Sequence, residues 1–165
     1  QRDFVNRIVD IVSKTGLSPH SVELELTESS IMENPESAAD ILREIRSLGF
    51  SIAIDDFGTG YSSMSYLKRF PVDTLKIDRS FTQGVATDPH DAAMVRAMVT
   101  LAHDLGLRVV AEGIETDAQL SYLNALRCDE GQGYLFSQPK PADLVRDMLF
   151  DRSHIRSSPL TLQAA

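Results

Sequence analysis

The feature that most constrains this chain is a repeated exchange of two hydrophobic periods. Short runs in which apolar and polar residues alternate, the period of a strand, are each followed by apolar residues three and four apart, the period of a helix. The strand-like runs are VELELTE at 22–28, FSIAIDDF at 50–57, TLKID at 74–78, RVVAEG at 108–113 and QGYLF at 132–136. Helices are predicted near 35–48, 62–70, 89–105, 116–127 and 141–150, with another at about 3–14 ahead of the first strand. Local punctuation agrees, since Asn34, Pro35 and Glu36 form a helix start and Gly49 and Gly106 form helix stops.

Strands separated each time by a helix cannot pair as hairpins. The sheet is expected to be parallel, with right-handed crossovers and helices against it. An open doubly wound sheet and a closed barrel both meet that condition. Alternation along the strands favours the barrel. One set is bulky, with Val22, Leu24, Leu26, Ile52, Ile54, Leu75 and Ile77, while the other is polar or small, with Glu23, Glu25, Thr27, Ala53, Asp55, Thr74 and Lys76. Helices on both faces would demand apolar residues on both. The expectation is an α/β fold, a TIM-like βα barrel represented by five consecutive βα units. A full barrel has eight strands and typically ~250 residues, so the first strands are expected upstream of Gln1. Residues 1–151 are read as one partial barrel domain, and 152–165 as a tail that frays.

Composition narrows the function classes. With 42% hydrophobic and 24% charged residues the chain can bury a core. No run approaches the ~20 apolar residues of a membrane span, and no secretory leader opens the sequence, so a cytoplasmic domain without membrane contact is expected. A net charge of −8 with no basic segment argues against a DNA-binding protein. A small phosphate compound is still compatible if bound cations invert the local field. The single cysteine, Cys128, excludes an intrachain disulfide framework and a multi-cysteine zinc site, and is expected to pack as a small hydrophobe.

In barrel enzymes the functional groups stand at the C-terminal ends of the strands. Here Glu25, the pair Asp55 and Asp56, Lys76 and Glu112 end four strands, and Gln132 opens the fifth. Carboxylates crowded at one level repel one another unless a cation lies among them. Oxygen donors without a histidine or cysteine cluster favour Mg²⁺ or Mn²⁺ over zinc. Two adjacent aspartates cannot both face the lumen of a regular strand, but at a strand end one can serve a first ion, or bridge, while the other reaches a second. Lys76 reads either as a buried ion-pair partner or as the cation that orients a nucleophilic water. None of His20, His90, His103 and His154 ends a strand, which argues against a histidine-led hydrolase. The loop DDFGTGYSS at 55–63 can cradle phosphate through backbone N–H groups, yet it is no P-loop.

ELTES at 25–29, DDFGTGYSS at 55–63, LKID at 75–78, AEGIET at 111–116 and QGY at 132–134 with Pro139 together resemble the EAL-domain phosphodiesterases. The likeness covers about residues 4–150. It implies hydrolysis of cyclic di-GMP to linear pGpG with two Mg²⁺ or Mn²⁺ ions. By the same likeness Glu25 and Asp55 bind the first ion, Asp55 bridges, and Asp56 and Glu112 serve the second. Glu112 is a base for the attacking water, Lys76 positions that water, and Gln132 supports the site. Glu28 holds the 55–63 loop, which lies at the family's homodimer interface, and Glu115 is similar to the residue that reads a guanine edge. The name-giving Glu-Ala-Leu segment, with its metal-binding glutamate, and a later asparagine are expected upstream of Gln1, and a sensor or diguanylate-cyclase domain can accompany the family. The alternatives are a receptor that binds cyclic di-GMP without cutting it, and an unrelated Mg²⁺-dependent barrel enzyme.

Overall fold

The structure is a computed structural model that describes residues 2–60, 64–150 and 161–162. Strands alternate with helices throughout, and the chain divides into two compact units, residues 1–76 with 105–107 and residues 77–104 with 108–165.

The first unit contains α1 (Arg2–Thr15), β1 (Glu23–Thr27), α2 (Glu28–Met32), α3 (Pro35–Ser47), β2 (Ser51–Phe57), α4 (Met64–Leu67) and the start of β3 (Thr74–Ile77). β1 and β2 pair in parallel, with Glu23 opposite Ser51 and Thr27 opposite Asp55, and β3 lies beside β2. The Asn34 side chain accepts the Ser37 N–H at 3.2 Å and Pro35 occupies the first helical position, which sets the start of α3. The helix buries Ala39, Leu42 and Ile45. Burying a leucine or isoleucine is worth about 1.5–3 kcal/mol, whereas an exposed ion pair rarely exceeds ~1 kcal/mol. Apolar burial therefore docks α3, and the Arg46–Asp73 pair at 2.9 Å orients it.

The second unit contains α5 (Arg79–Gly84), α6 (Pro89–Asp104), β4 (Arg108–Ala111), α7 (Asp117–Ala125), β5 (Glu130–Gly131), α8 (Ala142–Phe150) and β6 (Thr161–Leu162). β4 and β5 are parallel, with Val110 opposite Glu130 and Ala111 opposite Gly131, and β6 pairs with β5 in the same sense. α6 buries Val95, Met98, Val99 and Ala102, one face of a 3.6-residue period. Cys128 is buried, and burial pushes its thiol up to about 12, so it packs rather than reacts.

Four strands lie where alternation predicts them. The fifth does not, because β5 is Glu130–Gly131 and residues 132–136 form a turn. The Ile114 N–H donates to Gln132 O at 3.0 Å, the Leu135 N–H to Ile114 O at 2.9 Å and the Phe136 N–H to Gly133 O at 3.1 Å. A Cβ on Gly133 would collide with the backbone of Ile114, so contact from another segment overrides the strand-like pattern. Gln132 consequently follows the fifth strand instead of opening it.

Two short helices also escape the periodicity. Glu28 begins α2 where the first strand was expected to run through 28, and α5 starts directly after Asp78. Neither is long enough to display a helical period. The helix expected over 62–70 is present as Met64–Leu67, with 61–63 outside the described residues. The fraying expected of 152–165 also falls outside them, apart from β6. No helix among the described residues is long and apolar enough to cross a membrane.

Candidate active site

Parallel register brings the first group of site residues together. Glu25 stands opposite Ala53, and Asp55 lies two residues further along β2, on the same face as Ala53. Lys76 on β3 reaches both carboxylates, with its Nζ 2.8 Å from Glu25 Oε2 and 3.1 Å from Asp55 Oδ1. Exposure is graded across this cluster, at 4% for the Lys76 side chain, 23% for Asp55 and 45% for Glu25. The ammonium is enclosed while the carboxylates are open toward solvent. All four residues of β3 are buried, including Thr74, whose hydroxyl donates to Glu23 Oε2 at 2.8 Å. Within the polar side-chain set, Thr74 and Lys76 on β3 are thus enclosed and hydrogen-bonded or ion-paired, while Glu25 and Asp55 remain open.

Asp56 joins the group through its backbone. Its φ of +54° is in the left-handed region, which aspartate enters more readily than most residues but still at a cost of about 1 kcal/mol or more. That turn interrupts the alternation of the strand. As a result one carboxylate oxygen of Asp55 and one of Asp56 lie within 4.8 Å of each other, although the two residues are consecutive. The Asp56 N–H also donates to Asp55 Oδ1 at 3.1 Å. Three carboxylates and one ammonium leave two negative charges, all presented as oxygen donors, and this donor set fits a hard divalent cation.

The segment after Asp56 is held from below by Glu28, which is 1% exposed. The Gly58 N–H donates to Glu28 Oε2 at 2.8 Å, and a Cβ on Gly60 would come within 2.8 Å of Glu28 Oε1. Gly58 adopts a φ of +100°, and Thr59 donates its N–H and hydroxyl to Asp56 O. Glycines are required here because backbone and carboxylate approach one another closely.

In the second unit, Glu112 follows β4 and its N–H donates to Ile77 O at 3.1 Å. The Gln132 N–H donates to Ala111 O at 2.9 Å, so Glu112 and Gln132 leave neighbouring positions on paired segments, both half-buried. Gly113, at φ +69°, packs against Arg79 and turns the chain toward Glu115, which is exposed. Asp78 caps α5 by accepting the Ser80 N–H at 2.9 Å. Burial works to raise its pKa, but the Ser80 hydrogen bonds and the Arg79 backbone and charge outweigh it, holding the carboxyl below its usual value.

Sequence reasoning missed two contributors. The Glu23–Thr74 pair joins residues 51 positions apart, a contact that no local pattern encodes. Gln119 falls in the helix predicted near 116–127 without a role of its own, whereas it is buried and hydrogen-bonded to the segment carrying Glu115. A detectable signal existed, since Thr116 followed three residues later by Gln119 is a capping-box pattern.

Residues 1–139 match the EAL domain model, and the chain belongs to the EAL-domain family. It is 45% identical over 140 residues to the bifunctional diguanylate cyclase/cyclic di-GMP phosphodiesterase MucR of Pseudomonas aeruginosa, covering 85% of this chain and 20% of that protein. Among solved structures it is similar to the EAL domain of Mycobacterium smegmatis DcpA, with a TM-score of 0.83, 42% identity and coverage of 89% of this chain and 66% of that one. It also resembles Klebsiella pneumoniae BlrP1 in a manganese/cyclic di-GMP complex, with a TM-score of 0.77, 35% identity and coverage of 84% and 35%. The fold class is that of these domains, the TIM-like βα barrel. The chain spans about a fifth of the length of the curated relatives it matches.

Proposed function

We propose that this chain supplies most of the catalytic domain of a cation-dependent phosphodiesterase that opens cyclic di-GMP to linear pGpG. The observation that carries the reading is the Lys76 cluster, in which one enclosed ammonium meets Glu25 and Asp55 with Asp56 close by. Its surplus of negative charge and its oxygen donors suit Mg²⁺ or Mn²⁺. Support for the substrate comes from family membership and from relatives named for cyclic di-GMP.

In this reading Glu25, Asp55, Asp56 and Glu112 would hold two divalent cations. When bound, these would supply Lewis-acid polarisation of the phosphate and a lowered pKa for a coordinated water. Lys76 would hold the attacking water through its ammonium, which faces the Glu25 and Asp55 carboxylates. Glu112 would accept the proton of the water as its oxygen bonds to phosphorus, while the opposite ester P–O bond breaks and the departing ribose oxygen takes up a proton from solvent to become a hydroxyl. Gln132 supplies a neutral hydrogen-bonding amide beside Glu112, and Glu115 receives the N–H donors of a guanine edge. Glu28 keeps the Gly58–Gly60 segment in place. A homodimer contact through 55–63, a cytoplasmic setting and an accompanying sensor or cyclase domain belong to the same proposal, the last supported by the bifunctional name of MucR.

The test is Asp55→Ala in the full-length protein, assayed for cyclic di-GMP hydrolysis in Mg²⁺ and in Mn²⁺. Asp55 is read as bridging, so activity should vanish with either cation while substrate binding persists in part. Near-native turnover would remove Asp55 from the mechanism. A wild type that binds cyclic di-GMP without cutting it would make the protein a receptor.

A further inference from the structure

Gln119 is 6% exposed, and each end of its side chain has a partner. Its Oε1 accepts two backbone N–H groups, from Glu115 at 2.8 Å and Thr116 at 2.9 Å, and its Nε2 donates to Gln83 O at 3.2 Å. A capping box explains only part of this. The Thr116 hydroxyl accepts the Gln119 N–H at 3.3 Å while the Gln119 side chain takes the Thr116 N–H, which is the reciprocal pair of that motif. The bonds to Glu115 and Gln83 lie outside it. Gln83 stands near the end of α5, so the Gln119 amide joins three segments: the start of α7, the backbone of Glu115, and α5.

We infer that Gln119 is a positioning residue that acts through Glu115 and sets how firmly the substrate base is held. The inference rests on the reading of Glu115 as a guanine-contacting residue. Glu115 is exposed and follows the Glu112–Gly113 turn, and Gly113 has a positive φ. The bond from its N–H to Gln119 ties its backbone to two helices and so fixes the direction in which its carboxylate leaves the chain. Without Gln119, the part-buried Glu115 and Thr116 N–H groups lose the acceptor that holds them in place, and the segment is released from α7 and α5.

The experiment uses Gln119→Met in the full-length protein, because methionine keeps the volume and cannot make these bonds. Glu115→Ala, the double variant, and Thr116→Ala, which removes only the hydroxyl half of the box, complete the set. Gln119→Met should raise KM for cyclic di-GMP about tenfold, equivalent to ~1.4 kcal/mol, with kcat changed much less. It should add nothing to Glu115→Ala, because a residue acting through another shows that non-additivity. Thr116→Ala should leave KM near that of the wild type.

Amide hydrogen exchange at Glu115 supplies a readout independent of the substrate, with protection in the wild type and its loss in Gln119→Met. An unprotected wild-type amide, or unchanged exchange in Gln119→Met, overturns the inference whatever the wild type does with cyclic di-GMP. Additive losses, or an equal KM rise in Thr116→Ala, reduce Gln119 to a helix cap and overturn it alone. A wild type that neither binds nor cuts cyclic di-GMP overturns the functional reading and this role with it.

Discussion

Lys76 is the residue on which the first unit's charge arrangement depends. An ammonium that is 4% exposed has lost most of its hydration, and the two carboxylates at 2.8 and 3.1 Å compensate that loss. Because Glu25 and Asp55 keep part of their own hydration, removing the ammonium leaves repelling carboxylates that can still be solvated or neutralised by a cation. Lys76→Met is expected to fold and to lose about 10²-fold or more in turnover, the scale of a misplaced proton-transfer group. Its melting temperature should rise more steeply with added Mn²⁺ than that of the wild type, because the variant relies on the ion for charge balance. Undiminished turnover would show that the ammonium is a structural partner only. The residue types at this site were legible in the sequence. The φ of Asp56 was not, since a period-2 pattern does not report where a strand is broken.

Among the elements, the 55–60 segment is tied to α2 by Glu28. Two features of the sequence, a carboxylate at the end of one strand pattern and a Gly-Thr-Gly run after another, become one structure through the bond from Gly58 N–H to Glu28 Oε2. Glu28→Ala leaves that N–H without its partner and opens a space beside Gly60, a loss of about 1–3 kcal/mol for the hydrogen bond alone. The variant is expected to lose activity and to become sensitive to proteolysis near 55–60 while its far-UV circular dichroism stays that of the wild type. A fully active, protease-resistant variant would refute the anchoring role. At this scale the strongly periodic elements, β2 and α6, were readable. The turn at 132–136 was not, because its strand-like pattern yields to contact between Gly133 and Ile114.

Over the whole molecule, the proposed substrate, a doubly phosphorylated ring, would meet an unfavourable field. A net charge of −8 would repel it, and the oxygen-rich Lys76 cluster would reconcile the two only if cations are bound. The order of strands and helices gave away the fold class because each unit repeats the same two periods. Pairings such as Thr74 with Glu23 and Gln119 with the Gln83 carbonyl stayed hidden, since they join groups 51 and 36 residues apart. Product analysis after incubating the full-length protein with cyclic di-GMP, in Mg²⁺ or Mn²⁺ and in parallel with excess EDTA, tests the central claim most directly. The account predicts linear pGpG from the cation-containing reactions and intact cyclic substrate in EDTA; cyclic di-GMP left uncut with either cation, or cleavage that persists undiminished in EDTA, would contradict it.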